Sequence, residues 1–286
     1  MNGGIIVVNK PKGYTSRDIV NMVGRFLNTQ KVGHCGTLDP IATGVLVIGV
    51  RDGLKILEFM NNDTKEYVAK ARFGLKTDTL DVTGKVISET NDFKVDEDKL
   101  KEVVKSFKKK YLQEVPLYSS VKVNGERLYK YAREGKEVEL PKREVEILDI
   151  DILSIDENSF TFKCNVTKGT YIRSLIRDIG EELGIDCTME ELERTRQGVF
   201  SINEAYTLSD IENNRFDFIP LSKVLEEYFS TIVDSELEFK IKNGALLPNI
   251  YGEDMVVFKN IKNEVIGIYE VYPKDKKKIK PIRVFK

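Results

Sequence analysis

The sequence predicts an α+β fold rather than a doubly wound one. Apolar, strand-like runs come early, helices are inserted between strands at uneven intervals, and no βαβ period repeats. The texture changes near Phe229, which predicts a small second unit after a large first one. A chain of 286 residues, 41% hydrophobic and 32% charged, can bury a sizeable core and has the balance of a globular protein.

The elements follow in order. The run IIVVN over residues 5–9 reads as a short buried strand, ended by the turn signal Lys10-Pro11-Lys12-Gly13. A helix capped by Thr15 or Ser16 comes next, with Ile19, Val20, Val23, Phe26 and Leu27 as its apolar stripe. Residues 31–44 read as a glycine-punctuated loop that holds His34 (the only histidine), Cys35 and Asp39, before a strand over residues 45–50. In EYVAKARFG the residues Tyr67, Ala69, Ala71 and Phe73 share one strand face. A helix is predicted from Asp96 to Tyr111, with Leu100, Val103, Val104 and Phe107 inward.

VEILDIDIL and SFTFKCNVT read as paired strands, with Phe160, Phe162, Cys164 and Val166 on one face. KGTYIRSLIRDIGEELG reads as a helix stopped by Gly184, and Thr188 with Glu191 forms a capping-box pattern that predicts another short helix. From about residue 230, short strands separated by NGALLPN, YGEDM and YPKDKKK predict a small β-barrel.

The net charge of −1 is unevenly spread. Residues 273–286 carry seven basic side chains against one acid, and residues 181–193 carry six acids and no base. Lys122, Arg127, Lys130, Arg133 and Lys136 sit among Tyr129 and Tyr131. This zoning is compatible with a bound polyanion, though single charge runs are ordinarily solvated faces.

Three dispersed cysteines give neither a disulfide framework nor a zinc pattern, and one histidine leaves little for a metal site. No apolar run approaches membrane-spanning length, and MNGGIIVVNKPKG lacks the make-up of a secretory signal. A cytoplasmic protein without metal or membrane association is expected.

Taken alone, Asp39-Pro40 is a turn or cap device, His34 a packing or hydrogen-bonding residue, and Arg173 a solvated charge off its helix's apolar stripe. The residues themselves say only that a carboxylate, a histidine and several arginines could meet.

GHCGTLDPIATGVL closely resembles the catalytic motif of the TruB family of bacterial tRNA pseudouridine synthases, which modifies the T loop. VNKPKGYTS is similar to that family's N-terminal motif, and KEYVAKARFGLKTDTLDVTG to its tyrosine strand and sequel. VPLYSSVKVNGERLYKYAREGKEVELPKREVEI resembles its RNA-gripping insertion. KGTYIRSLIRDIGEELG with LERTRQGVF resembles its arginine motif. These cover most of residues 4–206 in the family's order, and the tail resembles, more loosely, an RNA-binding PUA domain.

The resemblance implies the pseudouridine synthase fold: a mixed, mostly antiparallel central sheet flanked by helices and crossed by a cleft. It implies a catalytic domain over residues 1–229, with an insertion at about 115–145, and a PUA-like domain over 230–286. The implied reaction isomerises uridine to pseudouridine at position 55 of the tRNA T loop after base flipping, with no cofactor or metal.

On this resemblance Asp39 is the nucleophile, Arg173 its partner, and Tyr67 the ring that stacks on the base with proton transfer as a second task. His34, Tyr171, Leu192, Lys10, Lys122, Arg127, Lys130 and Arg133 are the expected substrate contacts. The glycines would let backbone and RNA approach closely. Cys35 stands where the family commonly has threonine or alanine. The expected partner is the tRNA T arm, bound by a monomer that needs no other protein. The rival readings are a guide-RNA-dependent relative, a non-catalytic RNA-binding or folding module, and a retaining glycosidase, for which no convincing second carboxylate is seen.

Overall fold

The computed structural model describes residues 3–60 and 64–285. Strand Gly3–Lys10 pairs antiparallel with strand Thr43–Arg51, and both are buried nearly throughout, as their unbroken β-branched runs require. The sheet continues through Cys187–Gln197, Lys65–Phe73, Ser159–Val166 and Lys142–Asp156 to an edge strand, Lys110–Glu114. A two-residue contact joins Thr43–Arg51 in parallel to Cys187–Gln197; the other pairings in this sheet are antiparallel. The sheet is thus mixed and mostly antiparallel, as expected.

Helices Ser16–Phe26, Glu97–Ser106 and Ile172–Leu183 bury their apolar residues in one core, with the Tyr67, Ala69, Ala71 and Phe73 face at its centre. Thr15 is the cap of the first helix and shares a capping box with Asp18. Gly184 ends the third in the left-handed conformation, at φ 74°.

Three local expectations fail, each because longer-range packing prevails. The second helix stops at Ser106, with Phe107 as its C-cap, and Tyr111 lies in the edge strand. Tyr111 still packs edge-on against Phe107, at 5.6 Å between centroids, so its spacing imitates another helical turn. The Thr188–Glu191 pattern opens no helix, for the segment pairs antiparallel with Lys65–Phe73 on one side and bridges Asp81 through Met189 on the other. The Thr188 hydroxyl instead donates to the Leu75 carbonyl. Two register shifts in this strand, after Met189 and after Arg194, blur the alternation that would have marked it.

His34 lies in a short strand, Val32–Cys35, paired with Thr43–Arg51, rather than in a loop. The basic insertion has structure of its own: a two-stranded hairpin (Lys122–Val123 with Glu126–Arg127), helix Leu128–Glu134, and an apolar cluster of Val115, Val121 and Leu128.

The C-terminal unit is a five-stranded sheet with a core that includes Val256, Phe258, Tyr269 and Ile279, and it also carries a helix, Ser235–Lys242. This is a PUA-like half-barrel docked on the larger unit. A second apolar cluster joins Val257, Ile268 and Phe285 to Ile5, Val47, Ile56 and Met60 of the main sheet and its neighbouring 3₁₀ segment. Arg283 pairs with Glu58 across the same contact, at 2.8 Å. Among the described residues no helix is long and apolar enough to cross a membrane.

Candidate active site

The loop between strands Val32–Cys35 and Thr43–Arg51 carries Asp39, and its backbone is fixed from several sides. The buried Ser16 hydroxyl accepts from the Leu38 amide at 2.9 Å and donates to the Leu38 carbonyl at 3.2 Å. The Gly13 amide donates to the Pro40 carbonyl at 2.8 Å, and Lys10 Nζ also reaches it, at 3.4 Å. The Arg194 guanidinium holds the Gly36 carbonyl at 2.9 Å and the Val45 carbonyl at 2.7 Å. The carboxylate therefore sits on a backbone braced on both sides, the preorganisation a reacting group requires.

Arg173 meets that carboxylate from the first turn of Ile172–Leu183, its Nε 3.0 Å from Asp39 Oδ2. Far from solvated, Arg173 is 4% exposed. Its Nη1 donates to the Thr79 carbonyl at 2.8 Å and its Nη2 to the Tyr118 carbonyl at 3.0 Å. One side chain thus ties the Asp39 loop, the segment after Lys65–Phe73 and the root of the insertion together. The helix has no side-chain N-cap; instead the Gln113 amide accepts from the Tyr171 amide at 2.8 Å and donates to the Tyr171 carbonyl at 3.1 Å.

These groups surround a cavity of about 400 Å³ lined by Asp39, Tyr67, Arg173, Tyr171, Leu192 and Tyr118, with Tyr129 and Arg194 also on its wall. Burial pushes the Tyr67 phenol above its ordinary pKa, while the neighbouring Arg194 pulls the other way. A flat ring, a carboxylate and a fixed cation in a cleft of this size suit a nucleobase and its sugar.

Five of the expected site residues thus converge: Asp39, Tyr67, Arg173, Tyr171 and Leu192. Lys10 does not join them. Its ammonium is buried and turned onto the carbonyls of Pro11 at 2.9 Å and Tyr14 at 2.7 Å, besides Pro40. Burial brings its pKa down to about 8 despite Asp39 nearby. It braces the loop from beneath.

His34 is half-buried outside the cavity wall, with an unpartnered buried Nδ1, and burial together with Arg17 and Arg194 lowers its pKa. Lys122, Arg127, Lys130 and Arg133 lie exposed on the insertion. Lys130 is paired with Glu126 and Glu134, and Arg133 lies over the Tyr129 ring at 5.5 Å. The loop glycines serve protein packing. A Cβ on Gly44, which has φ +98°, would fall 2.3 Å from the Arg194 carbonyl, and one on Gly49 2.7 Å from the Gly53 carbonyl. Cys35 is buried at the cavity edge, its thiol 3.8 Å from the Met60 carbonyl.

Sequence reasoning missed Arg194, Gln113 and Ser16. Arg194 lies within a quoted motif, yet the capping pattern at Thr188 and Glu191 reads as a short helix there, so no strand alternation marks it as inward. Gln113 lies just beyond the helix predicted over Asp96 to Tyr111, where no element is read, and Ser16 is weighed only as a cap.

The site is therefore a carboxylate paired with a buried arginine in a base-sized cleft, on a mixed sheet with basic appendages. Residues 24–172 match the family model described as "TruB family pseudouridylate synthase (N terminal domain)", and residues 173–228 match "tRNA pseudouridylate synthase B C-terminal domain". The chain is 42% identical to the tRNA pseudouridine synthase B of Clostridium tetani over 270 residues, 93% of this chain and 92% of the other. It is 43% identical to that of Thermotoga maritima over 274 residues, 94% of this chain and 87% of the other. Among solved structures it is similar to "Crystal Structure of a Cbf5-Nop10-Gar1 Complex", with TM-score 0.74 and 27% identity, covering all of this chain and 84% of that one. The chain belongs to the TruB family of pseudouridylate synthases and is an isomerase.

Proposed function

We propose that this enzyme isomerises uridine to pseudouridine at position 55 of the tRNA T loop, with Asp39 as the nucleophile. The single observation that carries the reading is the Asp39–Arg173 pair, held at 3.0 Å in a cavity walled by Tyr67, Tyr171 and Leu192. The relatives of 42–43% identity are tRNA pseudouridine synthases over nearly the whole chain, which supports tRNA as the substrate.

In this reading the target uridine leaves the T-loop stack, at a cost of a few kcal/mol, and its base enters beside Tyr67. Asp39 bonds to the nucleoside, the N1–C1′ glycosidic bond breaks, the base turns, C5 bonds to C1′ and the bond to Asp39 breaks, the proton lost from C5 being matched by one gained at N1. Arg173 aims the attacking carboxylate and sets a fixed positive charge 3.0 Å from it. His34 with its open Nδ1, and Lys122, Arg127 and Arg133 on the insertion, contact RNA outside the cavity. The exposed Lys274, Lys276 and Lys277 of the C-terminal unit meet phosphates farther along the acceptor side. The chain works as a monomer without a protein partner.

The test is incubation of the purified chain alone with an unmodified tRNA transcript and an isolated T-arm hairpin, with pseudouridine mapped by nucleotide. Modification at position 55 in both supports the reading. Modification elsewhere overturns the site assignment. Activity only after addition of a guide RNA or partner protein overturns the standalone reading.

A further inference from the structure

Arg194 is fully buried, yet its recorded hydrogen bonds go to neutral carbonyls: Nε to Val45 and Nη2 to Gly36. No carboxylate oxygen of the described residues lies within 4.0 Å of it. A buried cation facing only dipoles carries a large desolvation penalty, so its location is informative. It stands directly opposite Tyr67 in the pairing of Cys187–Gln197 with Lys65–Phe73, and beside Gly44 in the pairing with Thr43–Arg51. Its two carbonyl partners flank Asp39 in the chain, one before it and one after.

The third nitrogen, Nη1, has no partner, nor has the buried amide of Gln197, and both face Gly36. A Cβ at Gly36, which has φ +77°, would lie 3.3 Å from Nη1 and 3.1 Å from Gln197 Oε1. A side chain there would press on the Gln197 amide and on Nη1 and would strain the left-handed backbone.

We propose that Arg194 is a positioning residue for the isomerisation, fixing the chord of the Asp39 loop and presenting a buried positive charge to the Tyr67 hydroxyl so that both groups share one register. The proposal rests on the reading of Asp39 and Tyr67 as reacting groups. That the Tyr67 phenol is pulled toward ionisation by this same guanidinium agrees with the geometry. A lysine here would keep the charge but could not fork between the two carbonyls.

The experiment introduces Arg194→Lys into the wild-type and Tyr67→Phe chains and measures single-turnover rate at saturating enzyme, tRNA affinity and melting temperature. Gly36→Ala, which keeps the charge and crowds Nη1, is a second route to the same defect. Arg194→Lys should slow the single-turnover rate about 10- to 100-fold while affinity changes less than about threefold. With Tyr67→Phe present, its further effect should be at least about threefold smaller than in the wild type, because part of its action passes through the missing hydroxyl. Gly36→Ala should lower the rate in the same direction with affinity kept. Strictly multiplying losses overturn the link to Tyr67. A parallel fall of affinity and rate, or a normal rate wherever the variant is folded, overturns the positioning role. A Tyr67→Phe chain of wild-type rate would remove the catalytic reading of Tyr67 itself, and that arm needs no Arg194 variant.

Discussion

Replacing Arg173 by methionine should unlatch three segments at once. The guanidinium makes two charge-assisted bonds to carbonyls, to Thr79 at 2.8 Å and Tyr118 at 3.0 Å, in addition to the Asp39 pair at 3.0 Å. Charge-assisted bonds contribute about 1.5–3 kcal/mol each, and the Asp39 pair adds about 1 kcal/mol or less to stability because the carboxylate is partly open to solvent. Methionine recovers part of this through its apolar burial, which leaves a net loss of about 3 kcal/mol. With an unfolding entropy of about 2 cal/mol/K per residue, the melting temperature should fall by about 5 °C. The single-turnover rate should fall about 10³-fold, since the carboxylate loses both its aim and its counter-charge.

The decisive assay is hydrogen exchange at the root of the insertion. The Ser119 amide bonds to the Leu117 carbonyl and the Tyr129 amide to the Ser119 carbonyl, next to the released Tyr118 carbonyl. Both amides should exchange faster in Arg173→Met. Unchanged exchange there, or a variant that melts within about 1 °C of wild type, would refute the latch.

Three further outcomes follow from the same geometry. Lys10 is about 8 when folded and 10.5 when unfolded, so between those values the folded chain binds fewer protons and gains stability as pH rises; the melting-temperature gap between wild type and Lys10→Met should widen from pH 8 to pH 10 and not stay constant. His34 is held below its ordinary 6.5, so its single imidazole NMR signal should titrate below that value and move upward when RNA phosphates approach; a midpoint at or above 6.5 in the free protein would contradict the burial argument. Replacing Lys274, Lys276 and Lys277 by glutamine should lower the log–log salt slope of tRNA binding by up to about three units with the saturating rate intact; an unchanged slope would place the RNA elsewhere.

The C-terminal unit is better probed by such surface changes than by deletion. Val257, Ile268 and Phe285 share an apolar cluster with Ile5 and Val47, so removing residues 231–286 would strip cover from the main sheet.

Much of this fold is legible in local pattern. Thr15 with the Ile19, Val20 and Val23 stripe declares its helix, and the alternation from Tyr67 to Phe73 declares the core face. Elements governed by partners far along the chain are not legible in that way. Cys187–Gln197 carries a capping pattern that the pairing with Lys65–Phe73 overrides, and its bulges hide the inward phase of Arg194. Asp39 and Tyr67 emerge through motif resemblance, because no single-residue chemistry distinguishes them from other aspartates and tyrosines. The inward turn of Lys10 depends on three carbonyls that only the folded turn brings together. No strong apolar period marks the insertion, because its apolar cluster draws on Val115, Val121 and Leu128, too sparse a set to show one.

The central claim is that Asp39 performs the chemistry rather than holding RNA. Asp39→Asn preserves the size of the side chain and an oxygen that can still accept from Arg173, but an amide is no nucleophile here. The most direct measurement is the single-turnover rate of pseudouridine formation by Asp39→Asn on tRNA at saturating enzyme, with affinity measured on the same preparation. The rate should fall at least about 10³-fold while affinity stays within about threefold of wild type. A near-normal rate would contradict the account, and so would a loss of binding large enough to explain the lost rate.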